Sequence, residues 1–265
     1  MLHRWEEPFL AGQGGSGAVF FTGCNLRCAF CQNRPISAQD RGTTLSPSEL
    51  ARRMLELQGQ GAENIDLVSP SHFVGEIVEA VQVARTLGLS IPIVWNSNAY
   101  ELPGTLGRLA SSVDIFLPDL KFFDPKVSVD LCGAGDYFAM ATKAIRSMRE
   151  IAGPARFVGA RMVRGVAVRH LVLPGLADET HAVLDWLAAN LERDTPISLM
   201  RQYTPMYDAV DGLAGYPALS RRLTTHEYRK ATDYAEALGF TNLWLQEKGS
   251  ASESFTPDFD STEEV

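Results

Sequence analysis

The run Gly23-Cys24-Asn25-Leu26-Arg27-Cys28-Ala29-Phe30-Cys31 contains three cysteines in the spacing C-x3-C-x2-C. Three thiolates so close together can hold three of the four irons of a [4Fe–4S] cube. Clusters that only carry electrons commonly have four thiolate ligands, and the one other cysteine, Cys132, lies far along the chain. The run therefore predicts a cluster with one iron open to a substrate or cofactor. We interpret Cys132, which stands beside Gly133, as a semi-buried structural residue.

Zinc binding and disulfide bonding are the alternatives for these cysteines. A structural zinc site commonly uses two C-x2-C pairs or two Cys with two His, but this run has one such pair, one further Cys upstream and no His. Disulfides among three cysteines so close together would form cramped loops. The N-terminus Met1-Leu2-His3-Arg4-Trp5 also lacks the apolar segment of a signal peptide. An iron–sulfur cluster is the favoured interpretation.

The composition limits the architecture and the partners. The chain has 265 residues with 45% hydrophobic content, which is enough for a substantial core. We predict a single domain over residues 1–248, followed by a polar, acidic tail over residues 249–265. The net charge of −8 argues against nucleic acid as a partner. The sequence contains no run of 18 apolar residues, so we expect no transmembrane helix. Reduced thiols point to the cytoplasm, and we expect a monomer.

Short apolar runs alternate with segments of helical periodicity along the chain. The predicted strands are residues 18–22, 64–69, 91–95, 113–117, 166–173, 197–200 and 242–246. The predicted helices follow the capping box at Ser46, cover residues 73–87, 102–110, 138–151 and 179–191, and follow a second capping box at Thr224. This alternation predicts an α/β fold with a parallel sheet, in which six βα units fall short of the eight of a closed barrel. The stretch 153–165, with Arg156, Arg161 and Arg164, is interpreted as a solvated basic loop, the alternative being that its arginines engage an acidic group.

Polar residues follow the predicted strands at the points where ligands bind in βα folds. They are the cysteine run, Ser69-Pro70-Ser71-His72, Asn96-Ser97-Asn98-Ala99, Pro118-Asp119-Leu120-Lys121, the segment 173–178 and Arg201-Gln202-Tyr203. Each alone is as readily a helix cap or a turn. Their joint placement predicts one site at the carboxyl ends of the strands.

The C-x3-C-x2-C run with an aromatic residue, Phe30, before its last cysteine is the signature of the radical S-adenosylmethionine (SAM) superfamily. The chain resembles the branch of that superfamily that is similar to pyruvate formate-lyase activating enzyme. The resemblance covers residues 14–246 and extends into the tail, and it rests on residues 23–33, 67–73, 117–121, 168–175 and 199–207. It implies a partial (β/α)6 TIM-like barrel of the radical SAM type. It also implies that the open iron chelates SAM, which one electron cleaves to methionine and a 5′-deoxyadenosyl radical.

The resemblance assigns roles to individual residues. Cys24, Cys28 and Cys31 would ligate the cluster, and Phe30 would help to seat the adenine. Cofactor-binding residues implied by their position in the family pattern are Ser69, Ser71, His72, Asn96, Ser97, Asn98, Asp119, Lys121 and Tyr203. Ser97 and Asn98 correspond to the region near the SAM ribose. Lys121 would pair with the SAM carboxylate, the alternative being a surface ion pair with Asp119.

Three positions depart from the family pattern. Residues 69–72 replace a Gly-Gly-Glu-Pro motif that meets the SAM amino group, so that His72 or a serine hydroxyl would have to serve. Asn96 stands where activases have a carboxylate for a monovalent cation, and Tyr203 stands where they tend to have a histidine. His170, within a predicted strand, is interpreted as a packing or capping residue.

Three functions follow from this reading. The first is an activase that receives electrons from a flavodoxin or ferredoxin and forms a glycyl radical on a partner glycyl radical enzyme. The departures above motivate the second, radical SAM modification of a small molecule or of another protein or peptide. The third is a non-enzymatic module that uses the cluster for electron transfer or sensing.

Overall fold

The computed structural model describes residues 1–38, 42–205 and 215–246. The end of the stretch 199–207 and the predicted tail 249–265 lie outside these ranges. The strands are β1 Leu2–His3, β2 Ser16–Phe20, β3 Ile65–Val68, β4 Ile93–Ser97, β5 Ile115–Pro118, β6 Arg156–Val158, β7 Arg161–Val166, β8 Val168–Leu171, β9 Ile197–Met200 and β10 Leu243–Leu245. The helices are α1 Pro8–Ala11, α2 Arg34–Ser37, α3 Pro47–Gly59, α4 Val74–Thr86, α5 Pro103–Gly107, α6 Pro125–Cys132, α7 Tyr137–Ala152, α8 Ala177–Asn190 and α9 Thr225–Ala237.

The strands form a curved, mostly parallel sheet. Strands β2, β3, β4, β5 and β7 pair in parallel in that order, and β8, β9 and β10 continue in parallel. The two parts meet at a bend, where Ala167 N donates to Phe116 O at 3.0 Å and Leu120 N donates to Arg169 O at 2.9 Å. Helices alternate with these strands, so the predicted α/β fold and the partial TIM-like barrel are confirmed.

Side-chain alternation along the strands gives the barrel a polar interior. Ile65 and Leu67 belong to the main hydrophobic core, as do Ile197 and Leu199. Successive residues of a strand point to opposite faces. The intervening polar residues, Asp66 and Ser198 among them, therefore point inward, and both are completely buried. Near the opposite end of the barrel, the interior is filled by a second apolar cluster that includes Phe9, Val94 and Ile115.

The first twelve residues contribute to this interior, which the sequence did not predict. Strand β1 pairs antiparallel with β2, and α1 places Phe9 against Trp244 with ring centroids 5.0 Å apart. The segment between them brings Glu6 and Glu7 into the barrel, where Glu7 is buried. The N-terminal segment therefore supplies part of the barrel wall between its two edges.

The helices and strands predicted from the sequence are present in the structure, which adds elements that were not predicted and changes one segment that was assigned to a loop. Both capping boxes are present, at Ser46 and Thr224. Helix α6 was not predicted. The prediction that residues 153–165 form a loop is wrong. Residues of that stretch form the antiparallel pair β6 and β7, and β7 joins the sheet beside β5. Arg161 pairs with Glu63 and Arg164 Nε donates to Ala152 O at 3.0 Å, so their charges serve the fold.

Two isolated residues behave as the sequence suggested. His170 is buried, with Nδ1 2.7 Å from Leu120 O and Nε2 3.0 Å from Thr180 Oγ1. Cys132 is buried and donates to Ser128 O at 3.1 Å. In the part of the chain that the structure describes, no helix combines the length and apolar character needed to cross a bilayer.

Candidate active site at the carboxyl ends of the strands

A cavity of about 230 Å³ lies at the carboxyl ends of the strands. Its wall holds most of the residues that the sequence singled out, contributed by the ends of β2, β3, β4, β5 and β9. They are Cys24, Cys28, Phe30, Cys31, Ser69, Asn96, Ser97, Asn98, Asp119, Lys121 and Tyr203. The strand-end placement inferred from the sequence thus brings these side chains around one space.

The cysteine loop is held by α6 and by the loop after β4. Arg27 N donates to Cys132 O at 2.9 Å and Ala29 N donates to Leu131 O at 2.9 Å. Asn98 Nδ2 donates to Asn25 Oδ1 at 2.7 Å and lies 3.4 Å from Cys24 Sγ. The unpredicted helix α6 therefore has a direct role, because its last carbonyl groups fix the backbone on both sides of Cys28.

Asp119 and Lys121 form a charged pair in the cavity wall. Lys121 Nζ lies 2.7 Å from Asp119 Oδ2, and the two side chains are only 18% and 17% exposed. Burial lowers the pKa of Lys121, but the neighbouring Asp119 carboxylate and the Cys28 sulfur outweigh that effect and raise it overall. Lys121 is thus a fixed cation facing the cavity. The ion pair with Asp119 is present, but it lies in the cavity wall and not on the outer surface.

Cys28 lies against the hydrophobic core beneath the loop. Burial raises the pKa of its thiol to about 12, although Lys121 acts in the opposite direction. A thiol with so high a pKa is protonated at neutral pH, and metal binding is what converts it to a thiolate.

Arg169 is the central cation of the barrel interior, and the sequence did not single it out. Its Nε donates to Asp119 Oδ1 at 2.8 Å, its Nη1 to Glu6 Oε1 at 3.2 Å and its Nη2 to Asn96 Oδ1 at 2.5 Å. The side chain is 13% exposed. Arg169 therefore ties β4, the β5 end and the N-terminal segment together, and it occupies the carbonyl oxygen of Asn96, the position where the family pattern implied a cation ligand.

More carboxyl groups surround Arg169 than it can neutralise. Burial, followed by repulsion from Glu6, raises the pKa of Asp66 well above its usual range. Asn96 Nδ2 donates to Asp66 Oδ2 at 3.2 Å. Burial, with repulsion from Glu6 next, also raises the pKa of Glu7 from 4.5 to about 7. Among the described residues of the interior, Glu7 is thus a buried carboxyl group whose pKa is raised towards neutrality.

This titration predicts a pH-dependent stability. Because the pKa of Glu7 is higher in the folded state, protonation of this carboxyl group stabilises the fold. That stabilisation is fully present below pH 4.5 and is lost as the pH rises to about 7. Glutamine mimics the protonated carboxyl group. We therefore expect wild type to lose about 2 kcal/mol of unfolding free energy relative to Glu7→Gln between pH ~5.5 and ~8. Denaturant titrations of the apoprotein measure this, with Glu79→Gln on the exposed face of α4 as the control; parallel curves for wild type and Glu7→Gln would contradict it.

The predicted cofactor residues Ser71 and His72 are not among the residues that line this cavity, and their role in cofactor binding stays a prediction. Ser71 Oγ donates to Glu101 Oε1 at 2.6 Å, and His72 Nε2 lies 3.1 Å from Thr22 O. Glu101 is buried and also accepts from Ser97 Oγ at 2.8 Å and Trp95 Nε1 at 2.9 Å. Glu101 therefore draws Ser71 away from the cavity and organises the loops after β3 and β4.

Aromatic packing and backbone strain shape the rest of the wall. The rings of Phe30 and Tyr203 meet edge to face with centroids 6.0 Å apart, and Tyr203 OH donates to Leu219 O at 2.6 Å. That hydroxyl is thus committed to the protein. Ser69 and Ala99 have φ of 58° and 62°, in the left-handed region that non-glycine residues rarely adopt and that is enriched at functional sites.

The donor set fits an iron–sulfur cluster. Cys24, Cys28 and Cys31 are free thiols that line one cavity, as cluster ligands would be and disulfide-bonded cysteines would not. Within the described ranges, no three His, Cys, Asp or Glu side chains are grouped so as to hold a single metal ion. In a cube each thiolate binds a different iron, so the ligands have to surround a space instead of meeting at a point. Three other groups in the same wall suit different parts of a ligand. The cation of Lys121 can pair with a carboxylate, the amide of Asn98 can hydrogen-bond to polar groups, and the ring of Phe30 can pack against a nucleobase.

Comparison with known proteins agrees with this site. Residues 18–187 match the model of the Radical SAM superfamily. The "Uncharacterized protein MJ0674" of Methanocaldococcus jannaschii is 29% identical over 243 residues, which cover 89% of this chain and 65% of that protein. The "Pyruvate formate-lyase-activating enzyme" of Clostridium pasteurianum is 21% identical over 214 residues, 77% of this chain and 82% of that protein.

Solved structures share the fold. Streptococcus suis SuiB bound to its precursor peptide SuiA has a TM-score of 0.60 and 15% identity, over 88% of this chain and 49% of SuiB. The same protein bound to S-adenosylmethionine gives a TM-score of 0.59 and 14% identity, over 89% of this chain and 53% of SuiB. The chain thus spans about half of SuiB and less than two thirds of the Methanocaldococcus protein.

Proposed function

The chain belongs to the radical SAM superfamily, and from this membership we propose that it is an activase-like enzyme that forms a glycyl radical on a partner protein. The family uses a [4Fe–4S] cluster and SAM. When bound, they supply a one-electron cleavage of SAM to methionine and a 5′-deoxyadenosyl radical, which takes a hydrogen atom from a substrate carbon to give 5′-deoxyadenosine. In our proposal the electron comes from a flavodoxin or ferredoxin.

The chain's own residues bind and orient the reactants. Cys24, Cys28 and Cys31 would hold the cluster at three irons. Lys121, fixed as a cation by Asp119, would bind the SAM carboxylate as a point charge. Phe30, held between Tyr203 and Phe122 by edge-to-face contacts, would seat the adenine.

The observation that carries the activase proposal is the cavity at the carboxyl ends of the strands. In the described part of the chain, β1 pairs only with β2 and β10 pairs only with β9. No backbone hydrogen bonds join these two edges there, and the N-terminal segment packs between them, with Phe9 against Trp244. The route that we propose for a segment of a partner protein is therefore the cavity at the carboxyl ends of the strands. The similarity to the Clostridium pasteurianum activating enzyme points in the same direction.

A second candidate is the modification of a small molecule or of another peptide. A further cavity of about 660 Å³ lies beside the first, within the range of small-molecule sites. Mass spectrometry can compare the metabolites and proteins of a strain that lacks this gene with those of the parent strain. This candidate predicts a product that is missing from the deletion strain, and an unchanged set of products would contradict it.

The activase proposal is tested by electron paramagnetic resonance (EPR). The reduced holoenzyme is mixed with SAM and each glycyl radical enzyme encoded in the same genome. We expect a SAM-dependent glycyl radical signal with one of them. If 5′-deoxyadenosine forms but no candidate partner acquires a glycyl signal, the activase proposal is wrong and the second candidate stands.

Lys121 and His72 provide a prediction on cofactor binding. Lys121→Met removes a buried cation from the cavity wall and should weaken SAM binding by about tenfold or more, the usual effect of losing a charge-assisted hydrogen bond. His72→Ala should change it by less than about twofold, because the His72 side chain does not line the cavity and so loses no direct contact with a ligand there. Equilibrium binding of SAM to the reconstituted protein measures both variants. A larger loss in His72→Ala than in Lys121→Met would reverse our assignment.

A further inference from the structure

Two of the three cysteine sulfurs in the cavity wall lie within hydrogen-bonding distance of a polar side chain. Asn98 Nδ2 lies 3.4 Å from Cys24 Sγ, and Ser37 Oγ lies 3.3 Å from Cys31 Sγ. Asn98 belongs to the loop after β4, whereas Ser37 is the last residue of α2. Two separate segments of the chain thus place a hydrogen-bonding group beside a sulfur that lines the cavity.

The other hydrogen bonds of the Asn98 side chain fix which end of its amide faces Cys24. Its Oδ1 accepts from Tyr100 N at 2.9 Å, and a backbone N–H can only donate. Its Nδ2 therefore points the other way, where one hydrogen goes to Asn25 Oδ1 at 2.7 Å and the second is directed at Cys24 Sγ. Asn25 Nδ2 in turn donates to Tyr100 O at 2.7 Å, so the backbone of Tyr100 orients both amides.

The turn that carries Asn98 is held in an uncommon backbone conformation. Ala99 has φ of 62°, and this turn returns the next N–H to the Asn98 side chain, a bond that asparagine commonly makes two residues along the chain. Ala99 N donates to Ser97 Oγ at 3.2 Å, and Ser97 Oγ donates to the buried Glu101 at 2.8 Å. The position of the Asn98 amide is therefore determined from several sides.

Ser37 is held in place by the residues around it in α2. Ile36 is buried, and its carbonyl oxygen accepts at 2.9 Å from the backbone N–H of Gly23, directly before the first cysteine. Ser37 N donates to Asn33 O at 2.8 Å. A cysteine that ligates a metal has lost its proton, so with the cluster bound Ser37 is the donor and Cys31 the acceptor.

Hydrogen bonds to the ligand sulfurs of a cluster change the free energies of its two oxidation states unequally. The reduced cluster carries one more negative charge, which is shared by its sulfurs, and hydrogen bonds with a charged partner are the stronger ones. A donor beside a ligand sulfur therefore stabilises the reduced state more and raises the reduction potential. A higher potential makes the cluster easier to reduce.

We propose that Asn98 and Ser37 donate hydrogen bonds to the thiolates of Cys24 and Cys31 and thereby raise the reduction potential of the cluster. Both act through the cysteine ligands, so they are positioning residues in this role. The inference rests on the ligation by these cysteines in our proposed function, and it is independent of the substrate. It gives Asn98 a role in addition to the position near the SAM ribose that the resemblance implies.

The midpoint potential of the cluster in the reconstituted full chain tests this proposal, measured by redox titration followed by EPR without SAM. Ser37→Ala and Asn98→Ala should each lower the ratio of reduced to oxidised cluster at a fixed potential about threefold, since part of a hydrogen bond's net contribution is shared by both states. The two bonds act on different sulfurs, so their effects should add in the double variant. We expect its ratio to fall about tenfold, which is a midpoint about 59 mV more negative for a one-electron couple.

Three further variants separate this effect from a loss of structure. Ser37→Thr keeps a hydroxyl group beside the sulfur and should keep the wild-type potential. Asn25→Ala removes a hydrogen bond that holds the loop but leaves the Asn98 donor, so it should shift the potential less than Asn98→Ala does. Ser90→Ala removes an exposed hydroxyl group between α4 and β4, at the amino end of the strand, and should shift nothing.

A wild-type potential, or a more positive one, in Ser37→Ala or Asn98→Ala overturns the assignment of that residue. Equal shifts in Asn25→Ala and Asn98→Ala overturn it for Asn98, because the loop and not the donor would then set the potential. If one variant does not retain about four irons per chain, the other decides, and loss of the cluster from both overturns the proposal. Unchanged potentials with intact SAM cleavage refute this inference alone, whereas the expected shifts with no SAM cleavage by the wild type refute the proposed function alone.

Discussion

Cys28→Ala will lose the cluster and with it the formation of 5′-deoxyadenosine from SAM. Cys28 is the middle cysteine of the run and lines the cavity together with Cys24 and Cys31. The cluster needs three cysteine ligands, and this variant leaves two. No other free thiol of the described chain lines this cavity to replace the third. Iron and sulfide content, the visible absorption of the reconstituted protein, and chromatography of the reaction mixture measure the loss.

Cys132→Ala is the matched control for this variant. Cys132 is buried and donates to a carbonyl group of its own helix, Ser128 O, and its contact with the cysteine loop is through its backbone carbonyl. Alanine keeps that carbonyl, so the cluster and SAM cleavage should persist. Full iron content in Cys28→Ala, or its loss in Cys132→Ala, would contradict our ligand assignment.

Arg169→Met will have the largest effect on stability. The substitution leaves the carboxylates of Glu6 and Asp119 inside the barrel without their main counterion. Breaking a buried ion pair by removing one partner costs about 3–5 kcal/mol. Arg169→Lys keeps the charge but loses the forked geometry that reaches three partners, so it should fall between wild type and Arg169→Met. Denaturant unfolding of the apoproteins measures the series.

Arg52→Met is the comparison for a surface arginine. Its side chain is 66% exposed and lies 4.0 Å from Glu49, a contact expected to be worth less than about 1 kcal/mol. If Arg169→Met unfolds at the same denaturant concentration as Arg52→Met, the interior ion network is not what fixes the N-terminal segment.

The sequence predicted the parts of the site that lie in local patterns. The cysteine spacing depends only on neighbouring residues, and each strand-end motif follows an apolar run. Parallel strands then bring their carboxyl ends together without further information. This is why Asn96, Asp119 and Lys121 were placed at one rim before the fold was known.

Contacts between segments that are distant in the chain could not be predicted from local sequence patterns. Arg169 meets Glu6, which lies 163 residues earlier, and nothing local indicates that the N-terminal segment enters the barrel. A signal was nevertheless present, because Asp66 and Ser198 are polar residues between apolar neighbours in short strands. In a barrel, alternation turns such residues inward.

The orientation of single side chains was equally unpredictable. The serines of 69–72 were equivalent in sequence, yet Ser69 lines the cavity while Ser71 faces Glu101. Glu101 is set after β4 and its reach depends on the packing of two loops. Likewise, the arginines around Arg161 favoured the prediction of a solvent-exposed loop. In the structure this stretch forms strand β7, which pairs with β6 in a hairpin.

The central claim is a cube held by three cysteines with its fourth iron open to SAM. Anaerobic reconstitution followed by EPR of the reduced protein, with and without SAM, tests it most directly. We predict about four irons per chain, a reduced-cluster signal that changes when SAM is added, and no such change in Cys28→Ala. A mononuclear metal, or a four-iron cluster whose signal is the same with and without SAM, would contradict the claim.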